Sequence, residues 1–478
     1  MSKKTVSRRE FGKLAGGIAA ASAITALKVP FVHAAHSDLI QVALIGCGGR
    51  GTGAAGQALS TTSGPIKLVA MADVFENKLK GSFASLSKKF GPKGPLDVKD
   101  EGGEFGGRAG SMGSMDVPPD RQFLGFDAYK KAIDCLKPND VAIFATPCVF
   151  RWVHFKYAIE KGVNVFMEKP VTADAPTTRR MFELADLASK KNLKVGVGLM
   201  VRHCKGRQEL FQRIQDGQIG DIICMRGYRT GGRAAWATRR PNDTTSELMF
   251  QVRGFHSFLW SGGGLFSDYN IHQIDELSWM KNAWPVTAHG TGGRHFRGES
   301  LDQNFDSYTV EYTYPDGTKF FFIGRHQDGT HSEFASYIHG TKGSAVVSTF
   351  MHTPGRVRIY KSQIIGKAGE KTPDLAWAFP QPEPNPYQLE WDDLIDAIRL
   401  NNPYNEVKRG AIASAVTSMG RFAAHTGQIL KYDEYIQHDH EYAPDADKFT
   451  ADSQAPLQMD KDGKYPVPQP GRVSKREY

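Results

Sequence analysis

Residues 38–59, DLIQVALIGCGGRGTGAAGQAL, join a short apolar run to a glycine turn and then to an Ala/Gly-rich stretch. Leu39 to Ile45 reads as a buried strand of a parallel sheet, because it is short, uniformly apolar and closed by glycine. Gly46, Gly48 and Gly51 follow at GxGxxG spacing, and a helix is expected from about Thr52. The three glycines provide a tight turn, room for a phosphate to reach the backbone, and close helix–sheet packing. Free N–H groups at the start of the helix favour the phosphate's negative charge.

The next apolar run, Lys67 to Ala72, ends in Asp73. A carboxylate there accepts hydrogen bonds from a ribose diol and repels a 2′-phosphate, so NAD is expected over NADP. The alternative for Asp73 is a helix N-cap. After a helix near Phe75 to Phe90, residues 91–120 are rich in Gly, Pro and charge and read as a long inserted loop. Such a loop could be a lid, an oligomer contact or a tolerated insertion.

Alternation then resumes, with a helix over Tyr129 to Leu136, the strand DVAIFATPC, the helix RWVHFKYAIEKG and the strand VNVFMEKP. Strand and helix in turn indicate right-handed parallel crossovers and a doubly wound Rossmann sheet. Its ligand crevice lies beyond the carboxyl ends of the strands, where Thr146, Pro147, Glu168, Lys169 and Pro170 fall.

The N-terminus is of another kind. SRREFGK at residues 7–13 precedes a weakly apolar run, Leu14 to Leu27, and small residues near Ala34. This is the layout of an export signal, residues 1–34, and its paired arginines resemble the twin-arginine signal. A basic N-terminus without an address and an uncleaved anchor are the alternatives. Without that segment's six basic residues and one acidic residue, the formal net charge falls from +9 to +4. So modest a charge, with no basic run, gives no reason to expect nucleic acid. No later stretch reaches the roughly 18 apolar residues of a membrane span. Five scattered cysteines without a CxxC suggest neither a disulfide framework nor zinc. His438, Asp439, His440 and Glu441 read as a solvated polar cluster, and no metal is expected.

The order GCGGRG, Asp73, ATP, EKP and SDYNIHQIDELSW resembles the Gfo/Idh/MocA oxidoreductase family. The stretch from Cys148 to Val171, with Arg151 and His154, is similar to its post-strand helix and Glu-Lys-Pro signature, and QLEWDDLIDAIRL onward to its closing helices. The resemblance implies a Rossmann domain over 38–170 and an α+β domain over 171–435 with an open, largely antiparallel sheet. It implies catalytic roles for Lys169, Asp268 and His272, and a cofactor site that takes in Gly49, Arg50 and Glu168. Asp275, Tyr269 and Tyr308 are looser candidates.

The residues can also be read directly. A cationic cofactor and partial burial would lower the Lys169 pKa toward an acid/base range, while a salt bridge to Glu168 is its structural alternative. Asp268 and His272, four residues apart, share a helix face, where a carboxylate can orient an imidazole. Gly262 to Gly264, just before them, fit close packing or a mobile segment. The strand KVGVGLMVRHC carries Arg202 and His203 to its end, and Pro315-Asp316-Gly317 reads as the turn of a hairpin. Arg202, His203, Arg253 and Tyr269 are candidate contacts for a polyhydroxylated ligand, and surface salt bridges explain the first three equally well. The polar, Pro-rich segment 436–478 reads as an extended tail, packed on a surface or partly disordered.

Export restricts the chemistry, because a dehydrogenase that releases its cofactor at each turnover needs a soluble pool. The expected function is therefore a sugar or polyol oxidoreductase that travels with tightly bound, recycled NAD. One alternative is net glycoside hydrolysis, as in the family's NAD-dependent glycosidases, through oxidation, elimination, water addition and reduction. Another is a non-catalytic exported sugar-binding protein. Expected partners are the small-molecule substrate, the twin-arginine machinery and further copies of the chain in a homo-oligomer, with no membrane contact after cleavage.

Overall fold

The computed structural model describes residues 38–92, 110–239, 245–349, 351–366 and 372–478. The expected export segment, 1–34, and the 93–109 part of the inserted loop lie outside the described residues.

The first layer holds β1 (Ile40–Ile45), α1 (Gly49–Leu59), β2 (Ile66–Asp73), α2 (Glu76–Phe90), β3 (Gly113–Met115), β4 (Gln122–Leu124), α3 (Ala128–Ile133), β5 (Val141–Phe144), α4 (Arg151–Lys161), β6 (Asn164–Met167), α5 (Ala175–Lys190) and β7 (Val195–Val197). The described strands form a seven-stranded sheet ordered β3-β2-β1-β5-β6-β7, with β4 also on β2. Every pairing in it is parallel. Val42, Leu44, Val141 and Ile143 are fully buried, which is why these strands read as unbroken apolar runs. The chain leaves β1 toward β2 on one side and returns to β5 on the other. The carboxyl ends of β1 and β5 therefore flank the topological switch point.

Two expectations shift. The parallel sheet continues to Val197, past residue 170, because KVGVG forms β7 on this sheet rather than opening the second domain. Packing decides it: a Cβ on Gly196 would lie 3.2 Å from Leu394 and from Phe166, so the strand fits against both. The far end of the inserted loop is also sheet, since Gly113 to Met115 pair with Ile66 to Leu68.

The second layer holds α6 (Lys205–Gln215), β8 (Ile222–Gly231), α7 (Glu247–Arg253), α8 (Leu259–Gly262), α9 (Gly264–Lys281), β9 (Thr287–Gly293), β10 (Ser307–Thr313), β11 (Lys319–His326), β12 (Glu333–Gly340), β13 (Gly343–Thr349), β14 (Arg358–Tyr360), β15 (Leu375–Ala378), α10 (Pro386–Arg399), α11 (Val407–Thr426), β16 (Ile429–Lys431) and α12 (Tyr432–Tyr435). Its strands run β15-β14-β13-β12-β8-β11-β10-β9-β16, antiparallel except where β8 meets β11. The expected turn closes β10 onto β11, with Gly317 N–H donating to the Tyr314 carbonyl at 2.9 Å. Tyr308, Val310 and Tyr312 alternate inward along β10 onto α9 and α11, which place Leu265, Ile274 and Met419 in the same core. Helix α10 crosses back to the parallel sheet, where Trp391 stacks on Phe166 at 4.4 Å.

The segment after Tyr435 is not a loose tail. Tyr442, Ala446, Leu457 and Tyr465 are buried core residues, and Glu477 is 0% exposed. Its apolar residues insert singly and without period, so a polar average composition conceals them. No helix among the described residues is long and apolar enough to cross a membrane.

Candidate active site

At the switch point the glycine turn is built as its spacing requires. Gly46 has φ +96, and a Cβ there would lie 2.6 Å from the Ala145 carbonyl carbon, so strand β5 approaches as only glycine allows. A Cβ on Gly51 would overlap the Gly46 carbonyl oxygen. Gly48 and Gly49 differ: a Cβ on either meets nothing within 4 Å, which leaves open space at the amino end of α1. Open backbone beside free N–H groups is what a pyrophosphate needs, so this cradle fits a dinucleotide. Asp73 does not cap α2; its carboxylate accepts from Cys47 N–H at 2.6 Å and Phe75 N–H at 2.8 Å. Burial raises its pKa, and the two backbone donors hold it back.

Thr146 and Pro147 line the same crevice. Arg151 Nη1 and Nη2 fix the backbone beneath them through the carbonyls of Phe144 at 2.7 Å and Thr146 at 2.9 Å. His154 lies beside Thr146 Oγ1 at 3.3 Å and is lowered to about 3 by burial and then by the Arg151 charge.

The Glu-Lys-Pro residues part company. Glu168 pairs with Arg50 at 2.9 Å, and the Arg50 guanidinium lies 4.9 Å from the Tyr387 ring centre. The expected alternative, a Glu168–Lys169 salt bridge, is not formed. Instead Lys169 Nζ reaches across to α9, donating to the Asp268 carbonyl at 2.7 Å and to Asp268 Oδ1 at 3.1 Å. This contact joins the end of β6 to the helix layer of the second sheet.

Asp268 and His272 share the buried face of α9, yet the carboxylate does not orient the imidazole. Its second oxygen, Oδ2, lies 2.7 Å from Nδ1 of His256, in the short turn before α8. Burial by itself would raise the Asp268 pKa, but Lys169 and His256 hold it well below the usual carboxylate range. His272 packs instead against His352, with ring centres 4.0 Å apart and the rings tilted by 50°, and its Nδ1 is buried without a hydrogen-bond partner among the described residues. Burial, then the charges of Lys169 and Arg229, keep its pKa well below 6.5 and the ring neutral.

Arg229 on β8 closes this side. Its guanidinium lies 3.9 Å from the Phe334 ring centre and 5.7 Å from that of Tyr269, and Nη1 is 3.4 Å from His352 Nε2. His326 stands edge-on to Tyr269 and is lowered to about 4 by burial and by Arg229. Behind them Arg207, paired with Glu276 at 2.9 Å, donates to the His352 carbonyl at 2.8 Å. The glycine run before α9 packs closely: a Cβ on Gly264, at φ +67, would lie 2.6 Å from Asn304 Oδ1.

Other expected ligand contacts are engaged elsewhere. Arg202 and Asp275 form a two-pronged pair, with Nη2–Oδ1 2.6 Å and Nε–Oδ2 2.9 Å. His203 lies between Asp393 at 2.6 Å and Glu406 at 3.5 Å. Burial would lower its pKa, but these carboxylates raise it to about 9. Tyr308 is buried against His425 at 2.9 Å, and Arg253 sits 4.8 Å from the Phe75 ring centre, at the Asp73 end of the crevice. Only Tyr269 of the looser set faces the Lys169–Asp268 pair's surroundings. His256, Arg229, His326 and His352 had no sequence signal, since each comes from a separate loop or strand end.

Residues 208–346 match the model of the GFO/IDH/MocA C-terminal domain. The chain is similar to the scyllo-inositol 2-dehydrogenase (NAD(+)) of Bacillus subtilis, with 25% identity over 271 residues, 54% of this chain and 68% of that one. It is also similar to the 2,7-anhydro-N-acetylneuraminate hydratase of Mediterraneibacter gnavus, with 24% identity over 207 residues, 43% of this chain and 50% of that one. Against several other curated relatives the chain spans only 37% to 42% of their length. Among solved structures, scyllo-inositol dehydrogenase from Lactobacillus casei with bound NAD(H) and scyllo-inositol shares the fold at TM-score 0.55 and 18% identity, over 83% of this chain and 99% of that one.

Proposed function

We propose that the chain, whose residues 208–346 match the C-terminal-domain model of the GFO/IDH/MocA family, is a nicotinamide-dependent oxidoreductase acting on a CH–OH group of a sugar or polyol. The observation that carries this reading is the Lys169–Asp268 contact at 3.1 Å, which sets an ammonium where the dinucleotide crevice meets the second domain. The backbone of Gly48 and Gly49 and the start of α1 would hold the pyrophosphate, and Asp73 the ribose diol. A nicotinamide supplies hydride acceptance at the carbon that bears the hydroxyl.

The chain's own residues manage the proton. His272, neutral but made a weak base by burial and the nearby cations, would take that proton from the substrate hydroxyl only because Lys169 Nζ, anchored by Asp268, stabilises the oxygen left negative and so makes the hydroxyl more acidic. Lys169 and Arg229, which keep the imidazole neutral, are the same cations that favour charge on that oxygen. Asp268 remains ionised and holds Lys169 in place, with His256 on its other side.

The finer reading keeps NAD over NADP on the strength of Asp73, and retains the cofactor through turnover because the SRREFGK segment indicates twin-arginine export. Exposed Phe321 and Ile323 on the open face of the second sheet support association with further copies. Replacing Lys169 with Met tests the central claim: the variant should keep its dinucleotide but no longer reduce it when polyols are added. Full reduction in that variant, or wild-type protein that holds no dinucleotide, sinks the reading; the latter would favour a sugar-binding role.

Similarity to an anhydro-sugar hydratase supports a second reading at the same site. On that reading a nicotinamide held by Gly48, Gly49 and Asp73 would supply reversible hydride acceptance at C3 of a glycoside, giving net hydrolysis in which the C2 proton exchanges with solvent. It requires aglycone release without added cofactor, and solvent deuterium at C2. Intact C2–H in the product excludes it.

A further inference from the structure

The cavity over the glycine turn has two kinds of wall. One is the parallel sheet itself, through Asp73, Thr146 and Phe150; the other comes from distant chain, through Arg253 and through Ala446, Asp447 and Phe449. Phe449 is held edge-on by three rings, those of Phe126 at 6.3 Å, Phe150 at 6.2 Å and Trp260 at 6.0 Å. Two of these rings belong to the nucleotide layer, and Trp260 lies in α8 of the second. The C-terminal segment therefore spans both layers at the cavity's mouth.

Its attachment is firm on either side of Phe449. Upstream, Tyr442 N–H donates to Asp174 Oδ2 at 3.1 Å. Downstream, the Leu457 carbonyl accepts from Gln251 at 2.9 Å and the Pro466 carbonyl from Gln303 at 2.8 Å. At the end of the chain the buried Glu477 carboxylate receives Arg421 Nε and Nη2, each at 2.9 Å, His425 Nδ1 at 2.7 Å, and the Tyr442 hydroxyl.

We propose that this C-terminal segment is part of the dinucleotide-binding site, with Phe449 and Asp447 closing its nucleotide end so that a bound dinucleotide leaves only when the segment lifts. The inference rests on the reading that a nicotinamide dinucleotide occupies the crevice. Lifting the segment separates Phe449 from its three rings, so dissociation is slowed without any change in the contacts of the glycine turn. Asp447 adds a second carboxylate to Asp73 along the same cavity, which disfavours a 2′-phosphate.

The test follows loss of NAD(H) from purified full-length protein, in wild type and Phe449→Ala, by passing samples over a desalting column at intervals and measuring the dinucleotide that remains. The variant should lose it about tenfold faster or more, as changes at a binding site act mostly on release. Equal rates overturn the proposal while leaving the functional reading intact; a wild type that binds no dinucleotide overturns both. A measurement without a variant guards against failure to fold: in stripped wild-type protein, adding NAD should slow amide exchange over residues 442–450. Unchanged exchange there, with NAD bound, also overturns the proposal.

Discussion

Nδ1 of His256 lies 2.7 Å from Oδ2 of Asp268, on the side of the carboxylate away from Lys169. Asp268 thus divides its oxygens between the Lys169 ammonium and the His256 imidazole, from different parts of the chain, and His256 helps to fix the carboxylate that fixes the ammonium. Replacing His256 with Phe should lower kcat by about tenfold or more while leaving the dinucleotide bound, because positioning is lost and the cradle is untouched. Pre-steady-state reduction of bound cofactor measures this directly. A rate equal to wild type would show that Lys169 alone sets the carboxylate.

Gly48 and Gly51 should respond differently to the same change. Gly51→Ala forces a Cβ onto the Gly46 carbonyl oxygen and should lower the melting temperature of the protein. Gly48→Ala meets no protein atom within 4 Å, so it should melt like wild type but lose dinucleotide affinity by tenfold or more, about 1.4 kcal/mol. Thermal melts and nucleotide titration separate the two; undiminished affinity in Gly48→Ala would mean that phosphate does not approach there.

Two groups of histidines set the pH dependence of stability in opposite directions. His272 and His352 are held neutral in the fold, with pKa values well below 6.5, so as pH falls below 6.5 the unfolded chain takes up protons that the folded one does not. Stability is therefore lost on the acid side. His203, raised to about 9, contributes stability that is complete below 6.5 and lost as pH rises to about 9, up to ~3 kcal/mol in all. Urea unfolding across pH 5 to 9 (about the span over which histidines titrate) should show a maximum near neutrality. His203→Gln should remove the alkaline decline; if the decline persists, His203 is not its source.

Arg421 and Glu477 are both fully buried, with Nη2 and Oε2 2.9 Å apart. Glu477→Gln leaves a buried guanidinium without its counter-charge and should cost about 3–5 kcal/mol by chemical denaturation. A loss below about 1 kcal/mol, the worth of an exposed pair, would mean that the end of the chain is not held as described.

Sequence by itself determined the features governed by neighbours along the chain. The GxGxxG turn, Asp73 at a strand end, the alternation of strand and helix, and Asp268 and His272 on one helix face all follow from local geometry, with periods of two or 3.6 residues. What only the tertiary structure decided is which side chains meet across elements. Asp268 met His256 rather than His272, because side chains on one helix face project side by side while the turn before α8 brings an imidazole head-on. Arg202 found Asp275, and the polar C-terminal segment was drawn into the core by single aromatic residues and by one buried glutamate. Such pairings depend on burial, which strengthens charge interactions and penalises every unpartnered polar group, and burial is a property of the packed molecule rather than of any window of sequence.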